Sequence, residues 1–350
     1  RTGESSIDYT LANTINPSMG PESPKSFKPG TLTNTETQFQ VDLSYELSDT
    51  TTILGGLSYL DEEYDIGEGE PDSYRVGPYA AADPWGFCDG DAATAAGQAV
   101  IDAGSTLNCA DPDDPVYRAV GVGSNGFPGY SPAFSDVYTR DSFAMYVEVN
   151  ADLGEALFVQ GAVRYEDYSD FGSETIFKIA GNYSVSDSMS LRASYNTGFR
   201  APTPGQQGTT NVSTRLPNGF PVAVGLFPAS GTVAQTLGAT DLKPETSSGF
   251  SVGVTGSVGS ADFTLDYYTI DVDDYFNAVS TRDVSTDPTA GDAYANFLAL
   301  DSAGVAGANT IGGVNWFTNA YDVGVSGIDA VITLPMDSEL GTTDVTIMYG

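Results

Sequence analysis

A two-residue alternation of apolar and polar side chains constrains this chain more than any motif in it. Over residues 37–47, Phe39, Val41, Leu43, Tyr45 and Leu47 share one face, while Gln38, Gln40, Asp42, Ser44 and Glu46 share the other. That period makes a β-strand, and the contrast between its faces means two different surroundings. The same pattern predicts ten strands, over residues 36–47, 51–66, 139–153, 156–170, 174–185, 188–200, 245–258, 261–279, 311–334 and 342–350. Their connections alternate in length: Ser48-Asp49-Thr50, Gly154-Glu155, Ser186-Asp187 and Gly259-Ser260 are tight turns, whereas residues 67–138, 201–243 and 280–310 are long excursions. Short turns on one side and long extracellular loops on the other are the build of an all-β transmembrane antiparallel β-barrel of the outer-membrane type. Residues 1–35, rich in Pro, Ser, Thr and Gly, read as the end of a further extracellular loop. Two short helices are expected inside the loops, over 91–103 and 292–300, each opening near an Asp.

A soluble β-sandwich also alternates, burying its apolar face in a core. Strand length and aromatic placement separate the two readings. Several segments exceed the roughly five or six residues common in soluble sheets, and aromatic residues gather near strand ends: Tyr59 and Tyr64, Tyr165 and Tyr168 with Phe171, Tyr195 and Phe199, Tyr267 and Tyr268. Such clusters suit a belt at a membrane interface. The opposite face carries full charges, among them Glu148, Asp152, Lys178 and Arg192. Phase slips near Tyr267 and Tyr268, and again between Val325 and Ile328, predict β-bulges. No segment approaches the roughly 18 consecutive apolar residues of a membrane helix, so a membrane assignment can only mean strands.

The charge balance excludes whole classes of function. With 13 basic against 47 acidic residues the formal net charge is −34, and nucleic acid is excluded as a partner because neutralising phosphate needs Lys and Arg. The chain has no His, so a Ser-His-Asp triad has no base. Adjacent carboxylates such as Asp273 and Asp274 point to opposite faces of a strand rather than at one bond. No catalytic residue, metal site or cofactor is therefore assigned. The acidic runs from Asp61 to Asp72 and from Asp111 to Asp114 offer hard oxygens that suit Ca²⁺, yet neither has the Asp-x-Asp-x-Asp-Gly order, and solvated charge is the plainer reading. Gly121 to Gly126 matches G-x-G-x-x-G but leads into Phe127-Pro128-Gly129 rather than a helix, and reads as an ordinary glycine-rich loop. Cys88 and Cys109, both in the longest excursion beside Trp85, are the only cysteines. A loop disulfide in an oxidising compartment is the expectation, with free thiols or a metal pair as the alternatives.

Four stretches, taken as a set, carry a family resemblance. Ser194-Tyr195-Asn196-Thr197-Gly198-Phe199-Arg200-Ala201-Pro202 resembles a strand-to-loop motif of TonB-dependent outer-membrane receptors, and Leu242-Lys243-Pro244-Glu245-Thr246 resembles the return from the following loop. Asp266-Tyr267-Tyr268-Thr269-Ile270-Asp271-Val272-Asp273-Asp274 is similar to a later strand motif, and Asn319-Ala320-Tyr321-Asp322 through Gly327-Ile328-Asp329 to the next. The resemblance covers most of residues 139–350; before that, only the pattern agrees. It implies part of a barrel of about 22 strands with a plugged lumen, in the outer membrane of a Gram-negative bacterium, taking up a scarce nutrient with energy from the TonB complex. With neither a signal peptide nor an initiator Met at Arg1, and with Gly350 inside an alternating segment, the chain reads as a fragment, roughly the eighth to the seventeenth strand. The plug and the segment that contacts TonB are expected upstream. Outer-membrane lipid, TonB and a small nutrient ligand are the implied partners.

Loops on a rigid scaffold concentrate binding residues, so the long excursions are where recognition is expected. The loop that begins at Arg200 holds Gln206, Gln207, Asn211 and Arg215, donors suited to an oxygen-rich ligand, beside Phe220. Arg200 itself has two readings, pairing with a lumen carboxylate or contact with the ligand. Haem iron is usually ligated by His, and its absence ranks haem below ferric siderophore, saccharide or cobalamin. Two other functions fit the alternation: a passive porin-type channel and a secreted β-sandwich adhesin or lectin.

Overall fold

The computed structural model describes residues 2–12, 16–117, 123, 129–215, 222–305, 307–338 and 341–350. The glycine run 121–126 and Phe220 thus lie outside the described residues, Gly123 excepted. An 11-stranded antiparallel sheet runs in strict chain order: β1 (Thr2–Ala12), β2 (Ser26–Ser48), β3 (Thr51–Gly67), β4 (Val137–Leu153), β5 (Leu157–Tyr168), β6 (Gly172–Ser186), β7 (Met189–Arg200), β8 (Glu245–Val258), β9 (Ala261–Ala278), β10 (Phe317–Ser338) and β11 (Gly341–Tyr349). Because every neighbour is antiparallel, successive connections emerge at opposite ends. The β2–β3, β4–β5, β6–β7, β8–β9 and β10–β11 turns share one end, and residues 13–25, 68–136, 169–171, 201–244 and 279–316 share the other.

One face of the sheet is an apolar surface on which, among the described residues, nothing is packed. Phe39, Tyr59 and Phe143 stand in register across β2, β3 and β4, as do Val41, Leu57, Met145 and Tyr165 through β5. Phe39 is 65% exposed and Leu43 72%, which rules out the β-sandwich alternative, since a sandwich would bury this face. Among the described residues no helix is long and apolar enough to cross a membrane.

The other face is polar and cross-linked. Tyr146 on β4 donates to Asp42 on β2 at 2.8 Å, passing over Gly56 of the strand between them. Arg192 on β7 likewise reaches Asp266 on β9 at 2.8 and 2.5 Å over Gly253. A Cβ at Gly56 would lie 2.5 Å from the Asp42 carboxylate and one at Gly253 1.8 Å from that of Asp266, so any larger residue would break these links. Glu148 accepts from Asn150 at 2.7 Å and from Gln160 at 2.9 Å.

Several expectations need correction. Residues 1–35 are not merely the end of a loop: Thr2–Ala12 pairs with the first half of β2, which begins at Ser26. The stretch shows little apolar alternation, and it is the backbone ladder that makes it a strand. Residues 311–334 are not one strand, because Ile311–Asn315 belongs to a separate sheet and β10 starts only at Phe317. No bulge occurs at Tyr267 or between Val325 and Ile328, where pairing is regular; Ile270 and Val325 instead face each other as an apolar pair on the polar side. The register shift of β9 against β10 lies further on, between Val272 and Phe276, where Asp274 takes a left-handed φ of 60°. Both expected helices exist, Ala95–Asp102 and Asp292–Ser302, but Thr94 caps the first and Gly291, with no side chain, precedes the second. The expected aromatic clusters are divided between the two faces of the sheet. Tyr59, Tyr165, Tyr195 and Tyr267 lie on the apolar face, whereas Tyr168 stacks against the buried Arg140 and Tyr268 lies over Gly327 on the polar side.

Candidate functional site

The long-loop end of the sheet is where side chains converge. Arg200 closes β7 and Glu245 opens β8, so the 201–244 loop leaves and returns at adjacent positions. Arg200 Nε meets Glu245 Oε2 at 3.1 Å, and its guanidinium lies 5.3 Å over the Phe276 ring. The other Glu245 oxygen accepts the Phe276 backbone N–H at 2.7 Å. One strand further on, Asn319 accepts from the Lys243 N–H at 3.0 Å and donates to the carbonyls of Lys243 (2.9 Å) and Asp274 (2.8 Å). Asp322 accepts from the Asp274 N–H at 3.1 Å. Residues from all four resembling stretches, Arg200, Lys243 and Glu245, Asp274, and Asn319 with Asp322, thereby form one clasp that fastens the loops to the strand ends.

A second clasp was not legible in sequence. Arg140, its side chain only 5% exposed, pairs with Glu62 of β3, donates to the Pro202 carbonyl at 2.5 Å, and lies 3.8 Å from Asp170. Its guanidinium stacks 5.1 Å over Tyr168, whose hydroxyl donates to Glu166 at 2.6 Å. A buried cation is stable only when paired and hydrogen-bonded, and Arg140 has both. It ties the start of the 201–244 loop to three strands.

The loops themselves are folded. Asn16, fully buried, donates to the carbonyls of Asp72 (3.1 Å) and Arg75 (2.8 Å), which ties residues 16–25 to the start of the loop that follows β3. In that loop Cys88 and Cys109 form the expected disulfide, beside the Asp83 carboxylate, which accepts the Phe87 and Cys88 N–H groups at 2.9 and 2.7 Å. The 201–244 and 279–316 loops share a four-stranded sheet, in the order Asn211–Arg215, Val222–Leu226, Ile311–Asn315, Arg282–Asp283. Beneath it lies a common core containing Phe227, Ala234, Leu242, Leu300, Val314 and Trp316. Phe134, from the 68–136 loop, meets Phe227 edge-on at 6.0 Å. In the 279–316 loop the exposed Asp287 accepts the Thr289 N–H and hydroxyl, each at 2.8 Å, and these bonds hold its carboxyl below the usual range.

The site residues expected from sequence are only partly gathered. Gln206 closes a capping box with Thr203 at the start of the helix Pro204–Gly208, and Gln207 donates to Asp170. Arg200 is paired with Glu245 as above. Asn211 is exposed on the strand Asn211–Arg215, which carries Arg215 at its far end. Arg200, Gln206 and Gln207 thus have intramolecular side-chain partners. Among the described residues, no three acidic or cysteine side chains converge as a metal site would require, the two acidic runs included. The polar face also forms a recess of about 670 Å³, lined by Gln40, Tyr146, Glu148, Arg164, Lys178 and Asn196.

Comparison with known structures agrees with this architecture. The chain is similar in fold to a variant of the ferric enterobactin receptor PfeA from Pseudomonas aeruginosa in complex with enterobactin (TM-score 0.54, 15% identity, covering 100% of this chain and 41% of that one). It is also similar to the siderophore receptor PirA from Acinetobacter baumannii (TM-score 0.50, 14% identity, 99% and 41%) and to PirA from Pseudomonas aeruginosa (TM-score 0.51, 14% identity, 99% and 50%). The chain spans half or less of the length of these receptors. The model of the family described as TonB dependent receptor-like, beta-barrel matches residues 2–340, and the chain belongs to that family.

Proposed function

We propose that this chain is the barrel portion of an outer-membrane receptor that imports a scarce nutrient with energy from the TonB complex, without catalysis. A ferric siderophore is the cargo class favoured here, because the similar structures are described as a ferric enterobactin receptor in complex with enterobactin and as siderophore receptors. The observation that carries the reading is the two-faced sheet: an unpacked apolar surface suited to lipid, a charged inner face, and every long loop on one side. Lipid, TonB and the ligand are proposed partners, and a Gram-negative outer membrane the proposed location. On this reading Asn211, Arg215 and Phe220 are the leading ligand contacts, while Arg200, Gln206 and Gln207 act by shaping the loop that presents them.

The test is uptake of radiolabelled ferric siderophores by iron-starved cells of the producing organism. Disrupting the gene should abolish uptake of one siderophore, and disrupting TonB should abolish the same uptake. Uptake that survives loss of TonB would indicate a passive channel instead.

A further inference from the structure

Trp85, 50% exposed, is the one strongly exposed aromatic among the described residues that does not lie on a strand of the large sheet. An indole gains by leaving water, so one kept in it needs a structure that holds it out. The turn around it is such a structure. Asp83 takes a left-handed φ of 44°, strained for a residue with a side chain, and Gly86 follows at 66°. The Asp83 N–H donates to the Val116 carbonyl at 2.9 Å, its own carbonyl accepts from Gly86 at 3.1 Å, and its carboxylate caps Phe87 and Cys88. Two further rings, each held by its own backbone, contact Trp85. Phe87 stacks with it at 5.8 Å and 14°, beside the disulfide, and a Cβ at Gly97 would strike the Phe87 carbonyl. Tyr79 is tilted against it at 5.8 Å and 51°; its N–H donates to the Ser18 carbonyl at 2.9 Å, and a Cβ at Gly20 would strike its ring.

The charge around these rings has one sign. Residues 79–117 contain seven aspartates and no lysine or arginine. Asp89 and Asp91, both exposed, follow Phe87 directly in the hairpin that pairs Cys88 with Ala93. Partial burial, and then the carboxylates of Asp83, Asp114 and Asp91, raise the Tyr117 hydroxyl above its ordinary range, so these three charges act on one small region. Aromatic faces attract cations, most strongly those that are weakly hydrated, as a quaternary ammonium is. The same aspartates repel an anion. We propose that Tyr79, Trp85 and Phe87, with the flanking Asp89 and Asp91, form a site for a small organic cation of the quaternary-ammonium class. The site is distinct from the 201–244 loop and stands whether or not the imported cargo is a siderophore.

Equilibrium dialysis of the complete protein, in dodecyl maltoside micelles, against radiolabelled choline tests it. Choline should bind saturably below about 10 mM, and its uncharged isostere 3,3-dimethylbutan-1-ol should compete at least about tenfold more weakly. Trp85→Leu should weaken choline binding about tenfold, and Trp85→Phe, which keeps an aromatic face, clearly less. Asp89→Asn combined with Asp91→Asn should weaken it by about threefold or more. Absence of saturable binding, equal competition by the neutral isostere, or unchanged affinity in Trp85→Leu would each overturn the proposal. Tighter binding of phosphocholine than of choline would overturn it too, since a phosphate would then be what the site recognises. If the variants do not assemble, choline against its isostere in the unmodified protein decides alone.

Discussion

Arg200 and Glu245 are register partners across β7 and β8, joined at 3.1 Å, but they are unequally placed: the Arg200 side chain is 57% exposed and that of Glu245 6%. The carboxylate also satisfies the Phe276 N–H, so most of the energy of the clasp resides in Glu245. Glu245→Ala should cost about 1–3 kcal/mol of local stability by leaving a buried donor unpaired, and Glu245→Gln clearly less, since an amide oxygen still accepts. Arg200→Ala should cost about 0–1 kcal/mol, as expected of a solvent-screened partner. Amide exchange at residues 245–250 and 275–278 measures all three, and equal losses for Glu245→Ala and Arg200→Ala would contradict the asymmetry.

Arg140 has more to lose. Arg140→Ala strips Glu62 and the Pro202 carbonyl of their shared donor and removes the face on Tyr168, at a cost of about 3–5 kcal/mol typical of a broken buried pair. Lysine lacks the planar fork and should not restore it. Limited proteolysis is the readout: cleavage within 201–210 should become fast in both variants and stay slow in the unmodified protein.

The Cys88–Cys109 bond closes a loop that holds its own helix, and the Asp83 carboxylate caps the backbone where that loop begins. Replacing both cysteines with serine should loosen residues 83–117 by about 3 kcal/mol in the chain-entropy account while sparing the sheet. Thiol labelling of the unfolded, unreduced protein should find no reactive cysteine; two would refute the bond in the mature protein.

Expressed alone, the 350-residue chain presents unpaired edges at β1 and β11 and an apolar face that water does not tolerate. It should aggregate in plain buffer and stay dispersed only in detergent or lipid. A monomer with a cooperative melt in plain buffer, seen by size exclusion and circular dichroism, would overturn the membrane reading of this sheet.

Strand positions, the two-faced sheet, the disulfide pair and the family resemblance were all legible in the residues themselves, because each rests on local periodicity, composition or short contiguous motifs. Phe39 to Leu47 declares its apolar face in five alternate positions, and no distant contact is needed to see it. What failed locally failed for a physical reason. Thr2–Ala12 announces itself only by the short alternation of Ile7, Tyr9 and Leu11, and it is β2 that completes it as a strand by supplying hydrogen-bond partners. Ile311–Asn315 looked continuous with β10, but its partner is Val222–Leu226, almost ninety positions earlier in the chain. Arg140 is one of 13 basic residues, and nothing near it in sequence points to Glu62, Asp170 or Pro202. By itself the sequence determined which residues lie on the apolar face of the sheet and which on the polar face along most strands, since pleating sets that residue by residue. Only the tertiary structure decided that the long loops are folded, joined to one another and clasped to the strands, because those bonds link residues whose proximity no local pattern encodes.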